Sequence, residues 1–147
     1  MLKRLSAAAF VSLGLSVSAM AQGTESPDGA ELYFVGLENG MTVQSPVTIN
    51  FGLRGMGVAP AEVEMENTGH HHLFLNRPPF GEGEFGDEEL ELAIPNDDNH
   101  IHFGGGQTEV QLDLPPGEHT LQLVLGDHGH VPHSPPVVSD VITITVE

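Results

Sequence analysis

Short stretches in which apolar and polar residues alternate recur along the chain from residue 31 onward. The clearest runs from Val47 to Leu53, where every second side chain is large and apolar. Such alternation is typical of a strand that buries one face, and no segment keeps the helical spacing of apolar residues for more than about one turn. Turns rich in glycine and proline, such as residues 115–117, separate the stretches. The pattern therefore predicts antiparallel strands.

The alternation predicts about seven or eight strands. They cover residues 31–37, 47–53, 70–76, 100–103, 107–114, 117–125 and 138–146, with a short further strand at 90–94. Residues 77–99 are rich in proline, glycine and acid, and we expect a long irregular insertion there. Short strands joined by such turns favour an all-β fold, namely an immunoglobulin-like antiparallel β-sandwich. A closed barrel is the alternative.

The first residues carry the features of an export signal. Lys3 and Arg4 precede an apolar run, and Ala19-Met20-Ala21 forms a small-x-small site. These features predict a signal peptide over residues 1–21. The apolar run is too short to span a bilayer, so no membrane insertion is expected. We expect a flexible leader at 22–30, one domain at 31–147, and a periplasmic or secreted location.

The charge of the chain narrows the choice of partners. Without the signal peptide, Arg54 and Arg77 are the only basic residues, against 21 acidic ones. Such a chain repels phosphates, which argues against nucleic acid and anionic membranes as partners. The absence of cysteine leaves no disulfide and no thiolate ligand. Gly104-Gly105-Gly106 lacks the Lys-Ser/Thr of a phosphate-binding loop, and no organic cofactor is expected.

Nine histidines are the compositional feature most relevant to function. His70 and His72 form one His-x-His pair, and His100 and His102 form another. Alternate residues of a strand lie on the same side, about 6.6 Å apart, so each pair could offer two imidazoles to one metal ion. Asp127 begins a third group just after the leucine-rich strand, and imidazole with carboxylate suits a borderline divalent metal.

The predicted metal ligands are His70, His72, His102, His128, His130 and His133, with Asp127 as a ligand or a supporting residue. Prolines stiffen the segment that carries the last two histidines, and we expect it to turn back toward residues 70–76. His71 and His119 lie in phase with leucines and are predicted to be buried, hydrogen-bonded core residues. Met56 could bind Cu(I) or fill a gap in the core.

Five motifs extend over nearly the whole mature chain. They are Gly55–Ala61 (Gly-Met-Gly-Val-Ala-Pro-Ala), Gly69–Leu73 (Gly-His-His-His-Leu), His102–Thr108, Pro116–Leu123 and His130–Pro136. Together they resemble a family of small exported bacterial domains that is described as a domain of unknown function. The resemblance implies an exported all-β domain, and it implies no established activity.

Three functions remain open from the sequence. The first is a periplasmic binding protein for Cu(II) or Zn(II), acting as a carrier, buffer or resistance factor. Neutral imidazoles would capture the ion and release it as they protonate near their ordinary pKa of about 6.5. The second is a structural or interaction module of the cell envelope, whose histidines form a hydrogen-bond network without metal. The third, a metal-dependent enzyme, finds no support in any catalytic motif.

Overall fold

A computed structural model describes residues 23–147, and the predicted signal peptide at residues 1–21 lies outside the described residues. Within residues 23–147, the regular structure consists of nine strands and one single-turn helix. They are β1 (Glu31–Val35), β2 (Thr42–Val43), β3 (Val47–Arg54), β4 (Gly57–Val58), β5 (Thr68–Leu75), α1 (Gly86–Glu89), β6 (His100–His102), β7 (Glu109–Leu112), β8 (Gly117–Gly126) and β9 (Ile142–Val146).

The strands form two sheets. The smaller sheet has the order β1-β3-β7, with antiparallel pairings throughout. The larger has the order β2-β9-β8-β5-β4, and β6 also pairs with β5. Its long pairings are antiparallel, whereas the two-residue strands β2 and β4 pair in parallel with β9 and β5. This arrangement confirms the predicted all-β fold, and its layers are those of a sandwich.

The main hydrophobic core lies between the two sheets, where alternate apolar residues face inward. Ile49 and Phe51 of β3 meet Leu73 of β5, Leu123 of β8 and Ile144 of β9. Four of these five side chains are completely buried, and Phe51 keeps only 6% of its surface exposed. Burial of this apolar surface is the main force that stabilises a domain without disulfides.

A second, smaller apolar cluster covers the other face of the larger sheet. Phe74 of β5 and Val124 of β8 pack there with Ile94, which comes from the irregular segment at residues 77–99. The segment at residues 127–138 covers the rest of that face through Val138. Both faces of the larger sheet are therefore buried, although only one faces the smaller sheet. We call the face covered by these two segments the outer face.

One difference from the sequence-based prediction concerns the insertion at residues 77–99. The strand expected at residues 90–94 is wrong, because a helical turn stands at Gly86–Glu89 and the amides of Glu91 and Leu92 donate to the carbonyl of Glu88. Leu90 and Leu92 remain 43% and 52% exposed. An extended conformation would gain neither burial nor hydrogen bonds to a neighbouring strand. Among residues 23–147, no helix has the length and apolar character needed to cross a membrane.

Candidate metal centre

Four histidines converge on the outer face of the larger sheet. They are His70, His72, His102 and His130, and one ring nitrogen from each lies within 4.8 Å of the others. His70 and His72 are fully buried, whereas His102 and His130 are partly exposed. We call these four side chains the imidazole cluster. A group with this composition could hold a metal ion.

The spacing of the imidazole cluster is close to that of a coordination sphere. Nε2 of His70 lies 3.0 Å from Nε2 of His72 and 3.1 Å from Nδ1 of His130. Metal–nitrogen bonds of about 2.0–2.1 Å place two nitrogens of a tetrahedral ion about 3.3 Å apart. The ring centroids of His102 lie 5.0 Å from those of both His70 and His72, and 4.7 Å from that of His130.

Strand pairing accounts for three members of the cluster. His70 and His72 alternate with His71 along β5, so both point to the outer face. The antiparallel register between β5 and β6 places His102 directly opposite His72. Cross-strand neighbours of this kind bring their side chains together on one face. His100, the other half of its pair, lies opposite Phe74 and therefore away from the cluster.

A tight loop after β8 supplies the fourth member. The Asp127 carboxylate organises this loop, because its Oδ1 accepts the amides of Gly129 and Val131 at 2.9 and 3.0 Å. The Asp127 carbonyl also accepts the amide of His130 at 2.9 Å. His130 takes a φ of 67°, which is uncommon for a residue with a β-carbon. This arrangement brings the His130 ring back over β5.

The N-terminal end of the described chain holds the same loop from outside. The Thr24 amide donates to Oδ2 of Asp127 at 3.1 Å, and the Thr24 carbonyl accepts the Ser134 amide at 3.0 Å. The Ser26 hydroxyl donates to the carbonyl of Pro135 at 2.6 Å. We call residues 24–26 the N-terminal strap. They lie within the predicted flexible leader, and here they are hydrogen-bonded to the loop.

The structure places His133 and His128 outside the imidazole cluster. His133 is 2% exposed, and its Nδ1 lies 2.9 Å from the Thr24 hydroxyl. His128 lines a polar cleft with Glu64 and Glu66 instead. Of the residues predicted from the third histidine group, only His130 therefore reaches the cluster. Asp127 supports it through backbone hydrogen bonds, since both of its oxygens accept amides.

Burial favours the neutral form of three members of the cluster, His70, His72 and His102. It lowers the pKa of His70 from 6.5 to about 4, an effect that His102 and His130 increase and Asp127 opposes. Burial lowers the pKa of His72 further, to about 2, with added repulsion from the other three members. The pKa of His102 is lowered by burial and then by His130. Neutral imidazole is the form that coordinates a metal ion.

Hydrogen bonds within the cluster leave some of its nitrogens unsatisfied. A neutral imidazole carries one N–H, yet Nε2 of His70 faces both His72 and His130. Among the described residues, Nδ1 of His70, Nδ1 of His72 and Nε2 of His102 have no hydrogen-bond partner. Orphaned buried polar atoms are costly, and they are rare without a functional reason. The cluster fits a metal ion because Nε2 of His70, Nε2 of His72 and Nδ1 of His130 face one another and could give it their lone pairs. The Nδ1 atoms of His70 and His72 would then carry the ring protons.

Two glycines make room for the rings of the cluster. A β-carbon added at Gly126 would lie 2.7 Å from Nε2 of His72, and one added at Gly104 would lie 2.7 Å from Nε2 of His102. Neither glycine has the positive φ that L residues avoid. Their role is therefore to leave space next to the imidazoles, and the sequence carries no signal for that role.

The remaining histidines make separate contacts. Nδ1 of His119 bonds to the Asn76 side chain, and Nε2 bonds to the Pro115 carbonyl, which matches the hydrogen-bonded role expected for it. His71 faces the main core with its ring 5.1 Å from that of Phe51, but both of its nitrogens lack a partner among the described residues. It is buried as predicted, whereas the predicted hydrogen bond is missing. Met56 packs against the same core.

Comparison with known proteins gives a family without an assigned activity. A family model described as Domain of unknown function (DUF4399) matches residues 49–147. This range contains all four histidines of the imidazole cluster and supports the predicted resemblance to such a family. No significant match was found among curated proteins or among solved structures.

Proposed function

We propose that this chain, which belongs to the DUF4399 family, binds a transition-metal ion through His70, His72, His102 and His130. The observation that carries the proposal is the convergence of four imidazoles, with facing nitrogens as close as 3.0 and 3.1 Å. Lone histidines on a surface do not assemble in this way. Here β5 supplies two rings, and β6 and the loop organised by Asp127 supply one each.

The donor set favours Cu(II) or Zn(II). Imidazole suits zinc, copper and nickel, whereas Cu(I) prefers thiolate or thioether ligands. The chain contains no cysteine, and no methionine belongs to the cluster. Copper(II) stands above zinc in the general affinity order for nitrogen ligands. We therefore expect both ions to bind, with Cu(II) binding more tightly.

The proposed role is that of a carrier, buffer or resistance factor outside the cytoplasm. The predicted signal peptide supports export, and the excess of acidic residues raises the local concentration of cations around the molecule. His70 and His72 are fully buried on a rigid strand, so the site is organised before the ion arrives. Pre-organised ligands lose little entropy on binding.

The lowered pKa values change the expected release mechanism. Release near the ordinary histidine pKa of 6.5 would require exposed imidazoles, but the pKa is about 4 for His70 and about 2 for His72. Protons compete with the metal only when the pH approaches those values. Mild acidification would therefore leave the ion in place, and transfer to a competing ligand is the more effective route of release.

The test is metal analysis of untagged protein exported by its host. We expect one ion per chain, and a Kd for Cu(II) measured by competition with a chromophoric chelator that is far below that of a surface histidine pair. The matched control is His128→Ala, which removes a histidine of the same loop outside the cluster and should leave the affinity unchanged. Equal weakening by His128→Ala and His70→Ala would contradict the proposed site.

A metal-free structural module is the second candidate, and the nitrogen–nitrogen contacts of 3.0 and 3.1 Å support it. The contacts between His70, His72 and His130 are also compatible with hydrogen bonds between imidazoles. In that case His70→Ala should lower the melting temperature of the metal-free protein, and saturating Cu(II) or Zn(II) should not raise the melting temperature of the parent. Bound metal should instead stabilise the folded state in proportion to its affinity.

A further inference from the structure

A cavity of about 340 Å³ lies on the outer face. It begins at Phe74 and His100, the next cross-strand pair on that face after His72 and His102. Phe74 of β5 forms part of its wall, and Phe80, Phe85, Leu92 and Ile94 of the irregular segment complete the apolar lining. Pockets that bind small molecules fall in this size range and are lined in this way, with a few polar groups that fix orientation. No part of the proposed metal site uses this cavity.

Arg77, the one Lys or Arg in the lining of this cavity, already interacts with other groups of the protein. The Arg77 guanidinium forms a salt bridge with Glu89 at 2.5 Å, and it donates to Nε2 of His100 at 2.6 Å and to the Pro78 carbonyl at 2.9 Å. It also lies over the Phe74 ring at 4.4 Å. A guanidinium with its donors engaged in this way offers little to an anionic ligand.

The remaining charge at the cavity is negative. Glu88 lines it and is exposed, and the salt bridges of the described residues do not include Glu88. Glu82, Glu84, Asp87 and Glu91 add further negative charge along the same segment. Phe85, at 60% exposure, presents an aromatic surface at the rim. Aromatic faces beside an unpaired carboxylate are the chemistry that recognises an organic cation.

We propose that this cavity binds an apolar organic cation, meaning an ammonium group that carries an aromatic or alkyl substituent. The substituent occupies the space between Phe74, Phe80 and Ile94. The ammonium group lies at the rim beside Glu88 and the ring of Phe85. The proposal is independent of the metal site, because none of these residues belongs to the imidazole cluster.

The experiment uses benzyltrimethylammonium as the probe, with titration calorimetry and amide chemical shifts on the metal-free exported protein. Benzyl alcohol and toluenesulfonate are the neutral and anionic comparisons of similar size. We expect the cation to bind about five- to tenfold more tightly than the alcohol, because it gains both cation–π and charge interactions. The sulfonate should bind more weakly than the alcohol, because the carboxylates repel it. The shifted amides should be those of residues 85–95.

Two substitutions separate the contributions. Glu88→Gln should weaken cation binding about three- to fivefold, and Phe85→Leu should do so to a similar extent, because each side chain is exposed and its interaction is partly screened. Glu84→Gln, which changes a neighbouring acid outside the cavity lining, is the matched control. Metal affinity should be the same in all three variants.

Several outcomes would overturn the proposal. Equal binding of the alcohol and the cation would show an apolar pocket without charge preference. Tighter binding of the sulfonate would assign the cavity to Arg77 and anions. Binding that is seen only with a longer basic peptide would make this face a protein-docking surface. An equal effect of Glu84→Gln and Glu88→Gln would show that the general acidity of the chain attracts the cation, without a specific contact to Glu88.

Discussion

Neighbouring residues of one strand, His70 and His71, share nearly the same burial but have opposite surroundings. Both are fully buried, and burial lowers the pKa of each from 6.5 to about 4. His71 points into the main core and packs against Phe51. His70 points to the outer face, with its ring 5 Å or less from those of three other imidazoles.

The comparison shows that a buried, neutral histidine is not by itself a sign of a binding site. Loss of water is the largest cause of the lowered pKa on both faces of β5, so the shift does not tell the two faces apart. The difference lies in what the ring nitrogens face. On the inner face the His71 nitrogens form no hydrogen bond among the described residues, and their polar neighbour is the Gln107 backbone. On the outer face Nε2 of His70 lies at hydrogen-bonding distance from nitrogens of His72 and His130. Substitutions on either side can test this difference directly.

The largest effect should separate His72 from His71. We expect His72→Leu to weaken Cu(II) binding by at least about a thousandfold, since it removes a buried ligand that the loop cannot replace. His71→Leu should leave the Kd unchanged and stabilise the fold by about 1–3 kcal/mol, because it removes two unpaired buried nitrogens. Chelator competition and denaturant unfolding measure the two effects. A loss of affinity in His71→Leu would argue against the assignment of faces.

The second test compares His130 with His133, which lie on the same loop. His130→Ala should weaken metal binding by at least about a hundredfold and have little effect on unfolding, because the ring is partly exposed. His133→Ala should lower stability by about 1–3 kcal/mol through the loss of buried packing and the contact to Thr24. With metal added, the double variant should melt at nearly the same temperature as metal-free His133→Ala, because without His130 the ion stabilises the fold much less. The opposite division of effects would move the site toward His133.

The third test concerns acid sensitivity of the metal-free protein. Histidines titrate near pH 6.5 in the unfolded chain but near 4 at His70 and His71 in the folded one. Between these values the unfolded state binds more protons, so stability is complete above pH 6.5 and falls as the pH drops toward 4. Each such histidine contributes up to about 1.4 kcal/mol per pH unit.

The stability–pH profile of His71→Leu, obtained by urea unfolding from pH 7.5 to 4, should be shallower than that of the parent. Gln111→Leu, which replaces an exposed side chain that does not titrate, supplies the control, and its slope should match the parent. If the two variants showed the same slope, the buried face of β5 could not be the source of the acid sensitivity.

The smallest effect should come from the space beside His72. Gly126→Ala introduces a β-carbon 2.7 Å from Nε2 of His72 without a φ penalty. The His72 ring must then shift, and we expect about a tenfold loss of metal affinity with a stability change within about 1 kcal/mol. The Cu(II) absorption spectrum should shift as the geometry changes. Gly129→Ala, whose added β-carbon meets only Asp127 Oδ1 at 3.5 Å, is the comparison.

Most of the fold could be predicted because period-two alternation survives in the sequence wherever one face is buried. The same rule placed His70 and His72 on one face. The prediction also chose His102 rather than His100, but the alternation gives no reason for that choice, which depends on which residue of β6 lies opposite His72. A tight turn would fix that register, but residues 76–99 separate β5 from β6, so tertiary packing must set it.

The third histidine group shows a different limit of prediction. The group consists of Asp127, His128, His130 and His133, which are close in sequence. The chain turns tightly at this point, so neighbouring side chains point in different directions. Backbone hydrogen bonds to Asp127 direct the His130 ring into the imidazole cluster, whereas Nε2 of His133 lies next to Gly69 at the start of β5. The contribution of Thr24 could not be foreseen, because it lies 103 positions away from Asp127.

The N-terminal strap has a consequence for the order in which the molecule assembles. Its contacts join Thr24 to Asp127 and His133, at separations of 103 and 109 residues. Contacts between such distant positions form late, because closing a long loop costs entropy before any contact compensates. Thr24 precedes these partners in synthesis by more than a hundred residues. No chain that ends before His130 can present the finished imidazole cluster, so an ion that loads into it meets a protein whose strands β1 to β8 have already been made.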